Sequence, residues 1–128
     1  MEENKGYLEL KDLEAYKVAR ELSATAWPIY EAMHWQIKKI IGDQWIESAD
    51  SVGANIAEGY GRFHFLDKIK FYYNARGSLL ESRHWVNLLL ERKMITPESH
   101  KKCIEFNEQI LLKINGLIKS QYDRKNNS

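Results

Sequence analysis

The stretch TPESHKKCIEFNEQILLKINGLI, residues 96–118, decides the fold class of this 128-residue chain. It opens with Thr96 as a helix N-cap, Pro97 at the first helical position and an acid next, where the helix dipole favours negative charge. The following stripe recurs at intervals of three and four, so its members share one face of an α-helix. This face consists of Cys103, Asn107, Ile110, Ile114 and Leu117, flanked by Ile104, Leu111 and Ile118. We therefore predict an amphipathic helix from Thr96 to about Tyr122.

Three upstream segments show the same period and predict helices over about residues 12–33, 37–60 and 66–92. Pro28 lies inside the first of them and is expected to kink it, because proline has no backbone N–H to donate. In the third, Gly77 lies on the apolar stripe, where we expect a partner helix to approach closely, and Leu79, Val86 and Leu90 widen the stripe. The predicted stripes are Ala15, Ala19, Leu22, Ala26, Ile29 and Met33 in the first helix; Ile37, Ile41, Trp45, Val52, Ile56 and Tyr60 in the second; and Leu66, Ile69, Tyr73, Gly77, Leu80, His84 and Leu88 in the third.

The predicted links between these helices are short, at about residues 34–36, 61–65 and 93–95. Short links force consecutive helices to run antiparallel. A chain of 128 residues, of which 44% are hydrophobic, is long enough for one domain with its own core. We therefore predict an all-α fold, an antiparallel up-and-down four-helix bundle, with residues 1–122 as a single domain and a disordered polar tail at 123–128.

Charge and apolar patterning narrow the class of protein further. The net charge is +1, but residues 1–64 carry a net −4 and residues 65–128 a net +5, so we expect an acidic side and a basic side on the folded bundle. The single cysteine, Cys103, excludes an internal disulfide framework. The polar start shows no signal peptide, and no stretch approaches the roughly 18 apolar residues of a membrane span, so we expect a cytoplasmic protein with no membrane partner.

Two pairs of residues resemble fragments of a metal or catalytic site, and both are incomplete. His100 and Cys103 lie three apart on one predicted helix, yet zinc needs four protein ligands, or three and a water. Glu81 and His84 form a single Glu-x-x-His motif, whereas a di-metal bundle uses two. We expect Cys103 and His84 in the core. We predict a protein that is not an enzyme, with no catalytic residue, metal, cofactor or small-molecule substrate.

Basic side chains concentrate in the second half of the chain, with Tyr72, Tyr73 and Trp85 among them. A basic surface with interleaved aromatic residues is typical of nucleic-acid-binding proteins, whose cations contact phosphates. An ordinary solvated helix face would look similar in a chain of low net charge, so the residues alone leave both interpretations open. The candidate RNA-binding residues are Lys68, Lys70, Arg76, Arg83, Arg92, Lys93, Lys101 and Lys102.

The run DSVGANIAEGYGR, residues 50–62, is unusual because Ser, Asn and Gly are poor residues for a helix interior. Within it Asn55 and Glu58 lie three apart on one face, as Ser78 and Glu81 do in the next predicted helix. We interpret these four residues as a structural polar network between the second and third helices, with a nearby arginine neutralising a carboxylate. The arginine candidates are Arg62 and Arg76.

The segment from Ser51 to Arg62, with ANIAEG inside it, resembles the signature of the four helix bundle family that is also called the 23S rRNA intervening-sequence proteins. Asp12-Leu13, Gln44, and Gly77-Ser78 followed by Glu81 also match, so the resemblance spans about residues 10–120. It implies a protomer that assembles as a ring, typically a homopentamer. The family is also similar to the accessory protein of diversity-generating retroelements, which is strongly basic, binds RNA and partners a reverse transcriptase. This chain departs from that protein in its net charge of +1.

The aromatic content agrees with an assembly, because four Trp and seven Tyr are many for one small helical core. Trp and Tyr are enriched in subunit interfaces, so we expect some of Trp27, Trp35, Trp45 and Trp85 to lie there. Our leading hypothesis is a homo-oligomeric bundle that binds structured RNA or a ribonucleoprotein partner. The alternative is a protein-interaction scaffold with no nucleic-acid role.

Overall fold

The computed structural model describes residues 9–127, and within this range all regular structure is helical. The polar start at residues 1–8 and the last residue, Ser128, lie outside the described residues. In chain order the elements are a 3₁₀ turn at Leu10–Asp12, α1 (Glu14–Glu31), a helical turn at Trp35–Ile37, a π-helix at Lys38–Gly42, α2 (Asp43–Tyr60), α3 (Phe65–Glu91) and α4 (Pro97–Asn126).

The four long helices form an antiparallel up-and-down bundle, as predicted. Each helix packs against its two neighbours: α1 contacts α2 and α4, and α3 also contacts α2 and α4, so α1 and α3 lie diagonally opposite each other. The largest interface is between α2 and α3. Because the helices alternate in direction, the α1–α2 and α3–α4 links lie at one end of the bundle and the α2–α3 link lies at the other. In the described part of the chain, none of the helices has both the length and the apolar character needed to span a bilayer.

The core confirms the predicted stripes of α1, α2 and α4. On α1 Leu22 and the stripe residues Ala15, Ala19 and Ala26 are buried, and the small alanines let neighbouring helices approach. On α2 the side chains of Trp45, Val52 and Ile56 are fully enclosed, and on α4 Ile110 and Ile114 are fully enclosed as well.

Helix α3 is rotated relative to the stripe that we predicted. Its buried residues are Ile69, Tyr72, Ala75, Leu79, Ser82, Val86 and Leu89, of which Ile69 lies on the predicted stripe and Leu79 and Val86 beside it. The middle of the predicted stripe is turned outward: Tyr73, Leu80 and His84 are exposed, and a Cβ on Gly77 would meet no atom within 4 Å. Our predictions of a close helix approach at Gly77 and of a core position for His84 were therefore wrong. Apolar residues occur all round α3, so its period fits two rows one residue apart and cannot choose between them.

The helix ends follow local sequence signals with two differences. Thr96 caps α4 as predicted, since its Oγ1 accepts a hydrogen bond from the Ser99 backbone N–H at 3.1 Å. Helix α1 continues through Pro28 and ends three residues later. Helix α4 continues to Asn126, past the end predicted near Tyr122, so residues 123–126 are helical where we predicted a disordered tail. An ion pair between Lys119 and Asp123 at 2.9 Å supports this last stretch.

Helices α2 and α3 approach each other closely at Gly59. A Cβ at this position would lie 2.8 Å from Cε1 of Tyr72 and 3.1 Å from Cβ of Phe71. The Tyr72 ring is fully buried and has no space to retreat into. Gly59 is therefore required by packing, whereas a Cβ on Gly53 would lie 3.7 Å from Cβ of Ala19, an ordinary contact.

We predict that Gly59→Ala lowers the free energy of unfolding by about 1–3 kcal/mol, because the added methyl overpacks the α2–α3 interface. Gly53→Ala is the matched control, since it adds the same methyl to the same helix without a clash. It should leave stability unchanged or raise it by up to about 1 kcal/mol through better helix propensity. Urea unfolding monitored by circular dichroism measures both, and equal effects of the two substitutions would contradict the assignment of Gly59.

Candidate nucleic-acid interface

Positive charge is concentrated at the end of the bundle where the α1–α2 and α3–α4 links meet. Residues 32–42 run from the end of α1 to the start of α2, and residues 92–102 run from the end of α3 into the first turns of α4. Together they carry six basic residues and one acidic residue, a net of +5, in a chain whose total is +1, and they are bordered by Glu31, Asp43 and Glu91. We call this surface the basic end. Its cations are Lys38, Lys39, Arg92, Lys93, Lys101 and Lys102, and all except the half-buried Lys38 are exposed.

The α3–α4 link is held rigidly, so its cations are displayed on a fixed backbone. The Lys93 N–H donates to the carbonyl of Leu90 and the Met94 N–H to that of Leu89, which is the Schellman arrangement that closes a helix C-terminus. Lys93 has a φ of 59°, in the left-handed region where glycine is the preferred residue. Met94 and Ile95 then pack against the core, which leaves Arg92 and Lys93 in solvent.

The α1–α2 link is also tied down on both sides. Tyr30 Oη donates a hydrogen bond to the Asp43 carboxylate across the link, and this bond raises the pKa of Tyr30. A Cβ on Gly42 would lie 3.0 Å from Sδ of Met33, so the link packs tightly over the start of α2. The Lys38 ammonium lies 4.9 Å from the centroid of the Tyr30 ring, a cation–π distance.

Between these anchors the chain forms a π-helix at Lys38–Gly42, with the Asp43 N–H bonded to the Lys38 carbonyl. Such turns are rare and often occur at functional sites. The π-helix buries Ile41 and leaves Lys39 and Ile40 exposed. Together with Trp35 and Gln36, these two side chains line a depression of about 550 Å³.

Sequence reasoning missed this depression and the contribution of Lys38 and Lys39. The predicted stripe of the second helix included Ile37 and Ile41 but gave no role to Ile40, the apolar residue between two lysines and the core. Ile40 was the signal in the sequence that could have indicated an exposed apolar site, because an apolar residue that lies off the buried stripe and next to two lysines is not expected in the core. The inserted π turn could not be read from the period.

The structure divides the eight predicted RNA-binding residues into two sets. Arg92, Lys93, Lys101 and Lys102 lie together at the basic end. Lys68, Lys70, Arg76 and Arg83 lie on α3, at increasing distance from the basic end toward its start. All of these except Lys70 make contacts that hold the fold together. Lys68 Nζ donates to the carbonyls of Tyr60 and Gly59 at 2.9 and 3.4 Å and caps the end of α2. Burial lowers the pKa of Lys68, and the nearby positive charge of Arg124 adds to the shift.

The remaining members of that second set bridge α3 and α4 or stay in solvent. Arg76 Nη1 donates to Oδ1 of Asn115 at 2.8 Å, and Arg83 pairs with Glu108 at 3.5 Å. Lys70 is exposed, with its ammonium 5.7 Å from the Phe71 ring centroid. The eight residues therefore do not form one continuous surface.

The predicted polar network does not connect α2 to α3. Asn55 Nδ2 donates to the Ser51 carbonyl of its own helix at 2.9 Å. Glu58 pairs with Arg62, four residues on, at 2.6 Å. Glu81 accepts from Nε1 of Trp85 at 3.1 Å, again within one helix, and Ser78 is half-buried on α3. These residues support individual helices because their side chains reach local partners first.

A buried polar link between helices does exist, but at Asn107. Its Nδ2 donates to the Leu79 carbonyl at 3.2 Å and to Oγ of Ser82 at 3.4 Å, joining α4 to α3. Ser82 Oγ in turn donates to the Leu79 carbonyl. The sequence placed Asn107 on the apolar stripe without this role. A buried amide that can bond at one register only helps to fix how α3 and α4 align.

The two fragments of a metal or catalytic site stay separate. Cys103 is a buried free thiol, and burial raises its pKa to about 11. His100 Nε2 lies 2.7 Å from Oδ1 of Asn87. His84 is exposed and packs edge-on against Trp85, with ring centroids 4.8 Å apart. Within residues 9–127 no three His, Cys, Asp or Glu side chains are grouped so that they could hold a metal ion.

A family model described as "23S rRNA-intervening sequence protein" matches residues 11–116 of the chain. The chain belongs to this family. Its fold is similar to the crystal structure of a protein of unknown function from the S23 ribosomal protein family of Bacteroides thetaiotaomicron VPI-5482. The TM-score is 0.76 at 22% sequence identity, covering 85% of this chain and 98% of that chain, which shows a shared fold. No curated protein matches the chain.

The family match bears directly on the basic end. Residues 32–42 and 92–102 both fall inside the matched range, so the basic end is built on the part of the bundle that the 23S rRNA-intervening sequence family shares. The last ten residues of α4 lie beyond it.

We predict that Asn107→Ala lowers the free energy of unfolding by about 1–3 kcal/mol, because it breaks the link between α3 and α4 inside the core. Asn55→Ala is the control: it removes the same side chain from a half-buried position whose bond stays within its helix, and should cost less than about 1 kcal/mol. Denaturant unfolding of both variants at one pH is sufficient. A larger loss of unfolding free energy for Asn55→Ala than for Asn107→Ala would instead support the polar network between α2 and α3 that the sequence predicted.

Proposed function

We propose that the protein is a non-enzymatic, homo-oligomeric four-helix bundle that binds structured RNA, alone or within a ribonucleoprotein partner, through its basic end. The observation that carries this proposal is the net charge of +5 in two segments that the fold brings to one end of a chain whose total is +1. The family to which the chain belongs is named for sequences that interrupt 23S rRNA, which supports RNA as the partner.

The chemistry at the basic end suits phosphate contacts. Lys and Arg on exposed helix turns neutralise phosphates and release the counterions condensed on the nucleic acid, so binding is salt-sensitive and largely independent of sequence. Within residues 9–127, the exposed members Arg92, Lys93, Lys101 and Lys102 form no ion pair with an acid of the fold, unlike Arg62 and Arg83. The field at this end is therefore directed to solvent.

Lys93 adds a second argument from backbone strain. A non-glycine residue in the left-handed region costs roughly 1–2 kcal/mol, and glycine would close the same Schellman turn without that cost. The presence of a long cationic side chain at this strained position therefore favours a functional role for its charge. Strained positions of this kind cluster at functional sites.

The opposite end of the bundle is the competing location for RNA, and its charges are largely engaged within the fold. Arg62 pairs with Glu58, and Lys68 caps the carbonyls at the end of α2. Lys70 remains exposed there, which makes it a suitable control for the basic end.

A separate surface supports homo-oligomerisation. We call it the apolar row; its members on α3 and α4 are Tyr73, Gly77, Leu80, Leu112 and Gly116, all exposed. Leu80 and Leu112 are 48% and 75% exposed, and the Arg76–Asn115 and Arg83–Glu108 contacts flank them, so they share one face. Clustered exposed apolar side chains on a soluble domain are typical of interfaces.

The charge split of the chain suits a ring. The half that contains α1 and α2 has a net −4 and the half that contains α3 and α4 a net +5, and the two halves lie on opposite sides of the bundle. A ring joins unlike surfaces of successive subunits, so opposite charges on opposite sides favour closure. The family's pentameric ring is the assembly we propose. The apolar row equally favours our second candidate function, a protein-interaction scaffold without a nucleic-acid role.

We predict that the double charge reversal Lys101→Glu and Lys102→Glu weakens binding of structured RNA at least about tenfold at low salt and leaves the melting temperature unchanged. It should also reduce the slope of log K against log salt by about 2, since two phosphate contacts are lost. Lys70→Glu, at the opposite end, should leave affinity within about twofold. Fluorescence anisotropy of labelled RNA with nuclease-treated protein measures the affinities and the salt slope, and thermal unfolding measures the melting temperature. If the wild-type protein binds no RNA even at low salt, the RNA-binding function is refuted and the scaffold function takes its place.

We predict that the wild-type protein has about five times the 15.1 kDa mass of one chain in solution, and that Leu80→Glu lowers it. A carboxylate in the apolar row would be buried without a partner on assembly, which costs several kcal/mol. Phe63→Glu, at an exposed apolar position in the α2–α3 link, is the control and should keep the assembly intact. Sedimentation velocity decides, and a monomeric wild-type protein would refute the ring.

A further inference from the structure

We propose that the depression lined by Trp35, Gln36, Lys39 and Ile40 binds an unpaired base of RNA, with the Trp35 indole as its stacking platform. This inference rests on the proposed function and deepens it, because it specifies the form of RNA that the basic end prefers. Paired RNA offers phosphates and a shallow groove, whereas unpaired bases can be turned out to stack on aromatic side chains.

The four lining residues have complementary chemistry. Trp35 is 62% exposed, so one face of a large aromatic ring is open to solvent. The Gln36 amide offers both a donor and an acceptor, the pairing that the edge of a base presents. Lys39 supplies a cation for the attached phosphate, and Ile40 supplies an apolar wall.

Sequence spacing on the helical lead-in brings these groups together. Trp35 and Gln36 lie in the helical turn before the π-helix, and Lys39 and Ile40 lie about one turn later inside it, so the four side chains line one depression. The depression is shallow and open to solvent, with a volume of about 550 Å³. The base would therefore lie across the start of α2, with its phosphate toward Lys39.

The platform is ordered before any ligand arrives. His34 Nδ1 accepts a hydrogen bond from the Gln36 N–H at 3.3 Å, which caps the turn that carries Trp35. The His34 ring lies 5.9 Å from the indole, centroid to centroid. On the other side, the Tyr30–Asp43 hydrogen bond holds the start of α2. The backbone that carries Trp35 is therefore already ordered before binding, which favours affinity.

Charge favours RNA over a protein surface as the occupant. Residues 32–42 contain Lys38 and Lys39 and no acidic residue, and the α3–α4 link with the first turns of α4 adds four further cations. The nearest acid in sequence on the α2 side, Asp43, already accepts a hydrogen bond from Tyr30. A base in this depression would thus bring its phosphates to the basic end.

A division of labour within the basic end follows. The α3–α4 link contacts phosphates of a paired segment, and the α1–α2 link takes one unpaired base beside it. The preferred ligand is then an RNA hairpin loop or a bulge next to a duplex, and a fully paired RNA of the same length binds more weakly.

The test compares Trp35→Ala with Phe63→Ala, each in the full-length chain. Phe63 is the matched control because it is an 88% exposed aromatic residue at the opposite end of the bundle. The probes are a hairpin RNA with 2-aminopurine in its loop and a fully paired RNA of equal length. Trp35→Ala should weaken hairpin binding roughly 5- to 100-fold, the usual range for one lost stacking contact, and change duplex binding less than about twofold.

Two further readouts make the assignment specific. Quenching of 2-aminopurine by the wild-type protein should disappear in Trp35→Ala and return in Trp35→Phe, which restores an aromatic ring. Equal losses for Trp35→Ala and Phe63→Ala, or no loss for either, would overturn the stacking site while RNA binding itself stands. A fall in sedimenting mass of Trp35→Ala with unchanged hairpin affinity would overturn it in favour of a subunit contact. Wild-type protein that binds neither probe would refute this inference and the proposed function together.

Discussion

The contact between Tyr72 and the backbone of α2 at Gly59 sets the rotation of α3 about its own axis. A ring this large, fully buried against a residue without a side chain, fits in one orientation only. With Tyr72 directed into the core, the neighbouring Tyr73 is directed outward. Leu80 lies on the same side of the helix, seven residues and about two turns later. The apolar row on which the proposed assembly depends is thus a consequence of how α2 and α3 pack.

The same bundle geometry explains how a nearly neutral chain has a strongly charged surface. Residues 32–42 and 92–102 are far apart in sequence, and neither is unusually charged alone. Alternating helix directions place both at one end, where their net charges of +2 and +3 add. The total charge of +1, which was no argument for RNA binding when only the sequence was considered, is an average over this surface and the more acidic rest of the chain. The relevant quantity for phosphate contact is the local charge within about one Debye length.

The amino-acid sequence was sufficient for the helices and their order, because three- and four-residue periods, the Thr96 cap and short links are local signals. It was insufficient wherever two arrangements satisfy the same local pattern. Apolar residues all round α3 fit two rows, and only the shape of α2 at Gly59 selects between them. For Asn55 and Glu58, sharing a face did not decide whether their partners lie across the interface or one turn away. The π-helix at Lys38–Gly42 inserts a residue into the period, and it ends where Gly42 packs closely against Met33 and Tyr30.

An assembled ring would resolve the remaining tension between modest charge per chain and RNA affinity. Cyclic symmetry places every copy of the basic end at the same height along the axis and the same distance from it. Five such ends form one circle of cations, and an RNA that engages two of them gains from the high effective concentration of the second. Each protomer then needs only a few phosphate contacts. In the proposed assembly the two surfaces would act together: the apolar row would hold the subunits together, and the ring would repeat the charge that a single chain carries in small amount.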